Sequence, residues 1–390
     1  MNDLHGCFVG EPVWQAGRQG MLAVAIKDNI DMAGLPTRAG LSGAGLGGPG
    51  LGGPGRVAAA DAPVVARLRE AGFTLVGKAR MDEAAFGATG DTPHHGRTDN
   101  PAAPGHSPGG SSSGSAAAIA ARLCDAALGT DTLGSVRIPA SYCGIVGLKP
   151  TRGLLPMDGV VPLSETLDHV GILGCDVAAV AAVLAVFAPR PMGASNGPLR
   201  VGVAAVDADP AVRESCEAAL RAVGWTLATC TIPGRPALRQ AALLVVEAEG
   251  AEAHPDWLDA DPAVLSLRLR GMLAYGRDCG SGRLLRALRV LRRATAELDH
   301  VLAGFDLLAL PTTPSAAYRW SDGPPPDQAA LTTLANAGGH PAISVPVRPL
   351  PDGRPVGLQL IGRHGADWAV LAAAGQITAA LRSRSTAAGS

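Results

Sequence analysis

"PGGSSSGSAAAIAARLCDAALGTDTLGSVRIPASYCGIVGLKPTRG", residues 108–153, contains two turns that are rich in glycine and serine. The first turn leads directly into "AAAIAARL", whose small side chains allow a helix to pack very closely against its neighbours. Glycine and serine before a buried helix indicate a tight backbone turn with caps and exposed N–H groups. In the second turn, Gly129–Arg137, consecutive N–H groups could converge on one point beside Ser135.

The serine run has three competing interpretations. A flexible linker has this composition, but it would lead into a polar segment or a new domain, and here an alanine-rich helix follows. Ser112 lies at the centre of a GxSxG pattern typical of a nucleophile elbow. That motif needs a preceding strand, and the preceding "TDNPAAPGHSP" contains three prolines. In the third interpretation Ser135 is a nucleophile beside an oxyanion hole, and a base must come from elsewhere in the chain.

Patterns of helix and strand alternate outside this region. The segment Asp61–Lys78 predicts a helix that ends at Gly72 and a strand that follows it. Similar alternation recurs at residues 199–232 and 293–313. These patterns predict an α/β fold whose central sheet is covered on both faces by α-helices. Residues 236–305 are almost continuously helical in pattern, and we expect them to cap one side of the sheet.

The composition is that of a globular protein and disfavours several classes of function. The 390 residues are 47% hydrophobic and carry a net charge of −1, so no surface for nucleic acid or acidic membranes is expected. Seven scattered cysteines without a CxxC pair indicate reduced thiols instead of disulfides or a zinc site. No apolar run reaches the ~20 residues of a membrane span, and no secretory signal is evident, which predicts a cytoplasmic protein.

Two other glycine patterns do not predict a nucleotide site. The tandem "LGGPGLGGPG" at Leu46–Gly55 contributes to two GxGxxG matches, but no strand precedes it and prolines occupy the expected helix start. We predict a flexible surface loop there. The segment Gly72–Ala79 is a near match to a phosphate loop, but its glycines bracket a strand and Ala79 replaces the required Ser or Thr. No cofactor and no metal are therefore expected.

Several long segments, in the right order, resemble the amidase signature family, including short bacterial amidases and plant-type indole-acetamide hydrolases. Besides residues 108–153 they are "AIKDNIDMAGLPTRAG" (25–40), "APVVARLREAGFTLVGKARMDEAAFG" (62–87), "LTTLANAGGHPAISVPV" (331–347) and "GRPVGLQLIGR" (353–363). The resemblance implies a central mixed β-sheet within one amidase domain, residues 1–380. Its expected parts are a catalytic core at about 20–190, a helical cap at about 236–305, C-terminal strands and a helix at about 306–382, and a disordered tail at 383–390.

The same resemblance implies a Ser-Ser-Lys triad. Ser135 matches the family's nucleophile, Ser111 matches the bridging serine that follows a cis peptide bond, and Lys27 matches the lysine of the K-D-x-x-D element. The oxyanion hole would consist of the backbone N–H groups of Thr132, Leu133, Gly134 and Ser135. Because a lysine is a base only when uncharged, we expect burial to lower the pKa of Lys27.

Leu133 departs from the family, which usually has glycine at this position. Its side chain is expected to narrow the pocket, or to strain the backbone if its φ is positive. The main prediction is an amidohydrolase that converts a small carboxamide to a carboxylic acid and ammonia. A glutaminase-type subunit of a tRNA-dependent amidotransferase and a catalytically silent binding module stay open as alternatives. The expected partners are a small-molecule amide and, in a homodimer, a second copy of the chain.

Overall fold

The fold is seen in a computed structural model that describes residues 3–42, 56–190, 198–232, 235–259 and 264–388. The loop predicted at Leu46–Gly55 lies outside the described residues. The strands are β1 Trp14–Gln15, β2 Ala23–Lys27, β3 Pro36–Thr37, β4 Arg56–Val57, β5 Thr74–Ala79, β6 Asp91–Thr92, β7 Gly96–Arg97, β8 Ala126–Thr130, β9 Val146–Lys149, β10 Val170–Gly174, β11 Arg200–Ala204, β12 Thr226–Cys230, β13 Leu307–Pro311, β14 Ala342–Pro346 and β15 Gly357–Ile361. The helices are α1 Pro63–Ala71, α2 Ser113–Ala120, α3 Arg137–Cys143, α4 Val177–Leu184, α5 Pro210–Ala222, α6 Arg235–Ala253, α7 Leu267–Arg277, α8 Ser281–Ala303, α9 Thr333–Gly338 and α10 Asp367–Ala388.

Within the described ranges, one mixed sheet of eleven strands has the order β1-β5-β2-β8-β10-β9-β14-β15-β13-β11-β12. Strand β2 pairs in parallel with both β5 and β8. Strand β10 runs antiparallel between β8 and β9. Since β2 and β8 are parallel neighbours, their carboxyl ends, Lys27 and Thr130, meet at the same edge of the sheet. The predicted α/β class with a central mixed sheet is confirmed.

Helices cover both faces of this sheet. Successive side chains of a strand point to opposite faces, so Val24 and Ile26 join one apolar core and Ala25 joins another. The first core lies under α1, α4, α5 and α10. On the opposite face, α2 and α3 pack beside one apolar cluster, and α6 to α9 pack on a further cluster.

Helix α2 approaches its neighbours closely because its residues are small. A Cβ atom added at Gly114 would lie 2.2 Å from the Cys7 carbonyl oxygen and 2.5 Å from the Arg80 nitrogen. Ala116, Ala117 and Ala118 are fully buried. The serine run therefore enters a packed helix and is not a linker.

The C-terminal half follows the predicted pattern of helices and strands, with one difference at the end. Helices α6, α7 and α8 occupy the segment that was expected to be helical. Helix α10 continues to Ala388, so residues 383–388 are helical where a disordered tail was expected. The sequence contains no glycine or proline between Gly375 and Gly389 that would end the helix. None of the helices in the described ranges is long and apolar enough to cross a membrane, and all seven cysteines are unpaired.

Candidate active site

Lys27 ends β2, and its amine contacts the first serine turn. Its Nζ lies 2.8 Å from Ser111 Oγ, 2.8 Å from Thr130 Oγ1 and 3.4 Å from the Thr130 carbonyl oxygen. Asn29 Nδ2 also donates to Thr130 Oγ1 at 3.1 Å, which holds that hydroxyl in place. As an ammonium, Lys27 can donate to all three oxygens. As a neutral amine, its lone pair can instead accept the proton of the Ser111 hydroxyl.

Burial makes the neutral form of Lys27 accessible. The side chain is fully buried, and this desolvation lowers its pKa from the ordinary 10.5 to about 7. The carboxylates of Asp82, Asp131 and Asp168 oppose that change by favouring the charged form. In the described part of the chain, none of them forms an ion pair with Nζ. A lysine with a pKa near 7 can serve as a general base at neutral pH.

The turn before Ser111 is held by Asp82. Ser111 follows a cis peptide bond to Gly110 and is fully buried. The Asp82 N–H donates to the Ser111 carbonyl at 3.1 Å. The Asp82 carboxylate accepts hydrogen bonds from the N–H groups of Thr89 and Gly90. A Cβ atom on Gly110 would lie 2.3 Å from Asp82 Oδ1, so glycine is required immediately before this serine.

Ser112, the centre of the GxSxG pattern, does not have the geometry of a nucleophile elbow. It precedes α2 directly, and residues 98–111 before it form no strand beyond an isolated bridge at His106. It is fully buried, and its hydroxyl donates to the Thr130 carbonyl at 3.4 Å. Its N–H donates to the Ser135 carbonyl at 3.2 Å, which joins the first serine turn to the second.

A buried ion pair holds the second turn, which connects β8 to α3. Arg137 Nη2 donates to Asp131 Oδ1 at 2.8 Å and Nε donates to Oδ2 at 3.0 Å, with both side chains fully buried. The Val136 N–H donates to the same carboxylate at 3.1 Å. Burial acts to raise the pKa of Asp131, but Arg137 and the Asn336 amide outweigh it and hold the pKa well below its usual range. Asp131 and Arg137 thus fix the loop around Ser135.

The backbone of this loop has free donors where the oxyanion hole is expected. Among the described residues, the N–H groups of Thr132 to Ser135 donate no hydrogen bond. Gly134 has a φ of 132°, and an added Cβ would lie 2.2 Å from Thr332 Oγ1. The positive φ is therefore at Gly134, and Leu133 has none. Of the two effects expected of Leu133, backbone strain is wrong, because the adjacent glycine takes the unusual conformation.

Ser135 opens onto a cavity of about 230 Å³. Thr132, Leu133 and Ser135 form one side of it, so the Leu133 side chain occupies space that a glycine would leave open. In the described structure the Ser135 hydroxyl makes no hydrogen bond, including none to Ser111. Most of the remaining wall is apolar. Its side chains include Phe86, Ile138, Leu163, Leu243, Val246 and Met272.

Sequence reasoning missed several residues that support the two turns. Thr130 lies inside the quoted stretch, but nothing in the sequence distinguishes it from other threonines. Asn336 donates to the Asp131 carbonyl oxygen at 2.9 Å and to its carboxylate at 2.8 Å. Thr332 Oγ1 donates to the Leu133 carbonyl at 2.5 Å. The contacts of Asn336 and Thr332 join residues that are about 200 positions apart in the sequence. Only the folded protein brings these residues together.

One group of side chains away from this cavity has ligand atoms suited to a metal. Asp299, His340 and His364 place one ligand atom each within 4.8 Å of one another. His340 Nε2 lies 2.9 Å from Asp299 Oδ1, and His364 Nε2 lies 2.7 Å from the Gly338 carbonyl oxygen. Hydrogen bonds within the protein account for these two contacts. None of the three residues lines the cavity at Ser135.

Comparisons with known proteins show the family to which the chain is similar. A family model described as Amidase matches residues 20–371. A glutamyl-tRNA(Gln) amidotransferase subunit of Symbiobacterium thermophilum is 34% identical over 89% of this chain and 80% of its own length. Amidase 1 of Oryza sativa subsp. japonica is 31% identical over 90% of this chain and 88% of its own. The crystal structure of an amidase superposes with a TM-score of 0.83 at 31% identity, covering 92% of this chain and 84% of that one.

Proposed function

The chain belongs to the amidase family, whose members act on amide C–N bonds, and on this premise we propose that it hydrolyses a small carboxamide to a carboxylic acid and ammonia. In this proposal Lys27 is the base, Ser111 relays the proton and Ser135 is the nucleophile. The observation that carries it is the 2.8 Å contact between Lys27 Nζ and Ser111 Oγ at a lysine whose pKa is lowered to about 7. A serine hydroxyl is a weak nucleophile until a neighbouring base removes its proton.

The reaction begins with proton transfer along the triad. The neutral amine of Lys27 accepts the Ser111 proton, and Ser111 Oγ accepts the proton of Ser135. The hydrogen bond between the two serines forms when substrate binds, since catalytic hydrogen bonds are often loose in the free enzyme. Ser135 Oγ then attacks the carbonyl carbon of the amide. The four free N–H groups from Thr132 to Ser135 accommodate the resulting oxyanion.

Collapse of this tetrahedral intermediate breaks the C–N bond and leaves an ester on Ser135. The proton held by Lys27 returns through Ser111 to the leaving nitrogen, which departs as ammonia. Water then gives a proton to the same relay and attacks the ester, which releases the carboxylic acid and restores the Ser135 hydroxyl. The sum is amide plus water to acid plus ammonia. Each oxyanion-hole donor supplies about 3–4 kcal/mol of stabilisation in the transition state.

Ammonia release from aliphatic, aryl and indole acetamides tests this proposal. We expect turnover of at least one class by the wild-type chain and none by Ser135→Ala, Ser111→Ala or Lys27→Ala. Ser115→Ala is the matched control, because Ser115 is buried in the same serine run and its hydroxyl has no hydrogen-bond partner. Turnover that survives Ser135→Ala in folded protein contradicts the assignment of the nucleophile.

A second candidate function is that of a glutaminase subunit in a tRNA-dependent amidotransferase. It is favoured by the 34% identity to the glutamyl-tRNA(Gln) amidotransferase subunit of Symbiobacterium thermophilum. This function requires partner subunits, whereas a free-standing amidase does not. Ammonia release from glutamine that appears only when the other amidotransferase subunits are added supports it. Turnover of simple amides by the chain alone supports the main proposal.

A third candidate function, a catalytically silent binding module, is considered because of Leu133. It lines the cavity beside Ser135, where a side chain restricts the space available to a substrate. A fluorophosphonate probe distinguishes the two possibilities, because it reacts with an activated serine without needing the natural substrate. Labelling of Ser135 supports an active hydrolase, and absence of labelling in folded protein supports the silent module.

From the sequence we also propose how the chain is divided into parts and how it assembles. Residues 1–380 act as one amidase domain in which the segment at about 236–305 caps the catalytic core, and the protein works in the cytoplasm as a homodimer. The positions of helices α6, α7 and α8 are consistent with a cap, since residues from α6 and α7 line the cavity at Ser135. Light scattering of the purified chain tests the dimer, and a monomeric mass at working concentration contradicts it.

A further inference from the structure

The cavity at Ser135 has an unbalanced positive charge. Arg239 of α6 and Arg268 of α7 both line it, and none of the described residues that line it is Asp or Glu. Arg239 is partly buried and Arg268 is exposed. Both come from the cap, whereas the nucleophile comes from the core. The two arginines and Ser135 thus border the same, largely apolar cavity.

Neither guanidinium forms an ion pair or a hydrogen bond with the described residues. Arg268 also borders a smaller adjoining cleft that contains three carboxylates. Each of these acids already has other partners. The partners are Thr89 and Gly90 for Asp82, Ser266 for Glu83 and Arg97 for Asp91. In the described structure none of these three carboxylates forms an ion pair or a hydrogen bond with Arg268, so its donors are available to an external anion.

An unpaired arginine pair in a pocket is a recognition element for a carboxylate. Guanidinium groups bind carboxylates through charge-assisted and often bidentate hydrogen bonds. The apolar part of the cavity wall, which includes Leu133 and Met272, suits methylene groups. A neutral amide could fill this wall but would leave both cations without a partner.

We propose that the substrate is a monoamide of an aliphatic dicarboxylic acid, with its amide at Ser135, its methylene chain along the apolar wall and its carboxylate between Arg239 and Arg268. This inference rests on the proposed amidase function and names the substrate class of the same site. Hydrolysis of such a monoamide by water releases ammonia and the dicarboxylic acid. The two arginines select the substrate and take no part in proton transfer.

Steady-state kinetics on matched amides tests the selection. The panel is succinamic, glutaramic and adipamic acid, each compared with the neutral primary amide of the same chain length. We expect kcat/KM for the best anionic amide to exceed that of its neutral partner by about 10- to 100-fold. Arg239→Gln and Arg268→Gln should each lower kcat/KM for the anionic amide by about tenfold, mainly through KM, and should affect kcat/KM for the neutral amide much less.

Arg289→Gln is the control for loss of a positive charge, because Arg289 lies exposed on α8 and does not line the cavity. This substitution should leave kcat/KM unchanged for both the anionic and the neutral amide. Calorimetry on Ser135→Ala supplies a readout that needs no turnover. The monoamide should bind this variant, and adding Arg239→Gln should weaken that binding by about tenfold.

The outcomes separate this inference from the proposed function. Equal or faster hydrolysis of the neutral amides, with dependence on Ser135, overturns the dicarboxylate class and leaves the amidase function standing. No effect of either arginine variant on anionic amides overturns it as well. If Ser135 is never acylated but the monoamide still binds in an arginine-dependent way, the hydrolase proposal fails and the binding site stands.

Discussion

Acylation of Ser135 should become faster as the pH rises through about 7, because Lys27 accepts a proton only as a neutral amine. Burial lowers the pKa of Lys27 from 10.5 to about 7, which corresponds to about 5 kcal/mol less preference for the ammonium form. At pH 7 about half of the Lys27 side chains would be neutral, against about 0.03% at an ordinary lysine pKa. Burial therefore increases the competent base about 1,500-fold at this pH.

The assay is the rate of fluorophosphonate labelling at Ser135 between about pH 5 and 9. It should follow a titration with its midpoint near 7 and its plateau on the alkaline side, since the deprotonated lysine is the active form. Asp131 should not contribute to this titration, because Arg137 holds its pKa far below this range. Lys27→Met should lower the rate by at least about 100-fold. A flat profile in wild type, or a wild-type rate in Lys27→Met, is incompatible with this assignment.

The same pKa predicts a change in stability that does not depend on catalysis. Between about pH 7 and 10.5 the unfolded chain binds a proton at Lys27 that the folded chain does not, so the contribution of Lys27 to stability rises with pH. The free energy of unfolding of Lys27→Met, measured relative to that of wild type, should therefore be highest below pH 7. It should fall as the pH approaches 10.5, because wild type becomes more stable over that range. Denaturant unfolding at both pH values measures it. A constant difference means that Lys27 keeps an ordinary pKa in the fold.

Three substitutions in the loop around Ser135 give further tests. Gly134→Ala should reduce labelling of Ser135 by at least about 100-fold and destabilise the fold by about 1–3 kcal/mol, because its Cβ would collide with Thr332 and its φ is 132°; wild-type labelling contradicts this. Asp131→Asn should lower the free energy of unfolding by about 3–5 kcal/mol, since it leaves Arg137 buried without its counter-charge; a loss under about 1 kcal/mol in denaturant unfolding contradicts it. Leu133→Gly should lower KM for bulkier amides, and an unchanged substrate profile means that Leu133 does not limit the pocket.

Matched controls separate the causes in these tests. Gly105 has a positive φ of 79° but nothing within 4 Å of an added Cβ. Gly105→Ala therefore reports backbone strain without the collision that Gly134→Ala adds. Glu217 and Arg221 form an exposed pair on α5, and Glu217→Gln should cost under about 1 kcal/mol.

The predicted roles of Lys27, Ser111 and Ser135 rest on sequence patterns that resemble those of the amidase signature family. The contacts of these residues depend on the fold. Thr130 carries no such pattern, although its side chain contacts Lys27 as closely as Ser111 does. That contact depends on the parallel pairing of β2 with β8, which a sequence period does not specify.

The fold class could be predicted because alternating helix and strand patterns record which faces are buried. The order of strands could not, since it depends on long-range pairing such as that of β10 between β8 and β9. The same contrast between local pattern and long-range packing applies to the helical cap. Its helices are evident from apolar spacing, but which side chains face Ser135 depends on how α6 and α7 pack. Arg239 and Arg268 look like ordinary solvated charges in the sequence, and only the cavity distinguishes them.

Mass spectrometry of the chain after reaction with a fluorophosphonate tests the proposed nucleophile most directly. Peptide mapping should place a single adduct on Ser135, and the adduct should be absent from Ser135→Ala and retained in Ser115→Ala. An adduct on Ser111 or Ser112, or no adduct in folded wild-type protein, contradicts the assignment of Ser135 as the residue that attacks the amide.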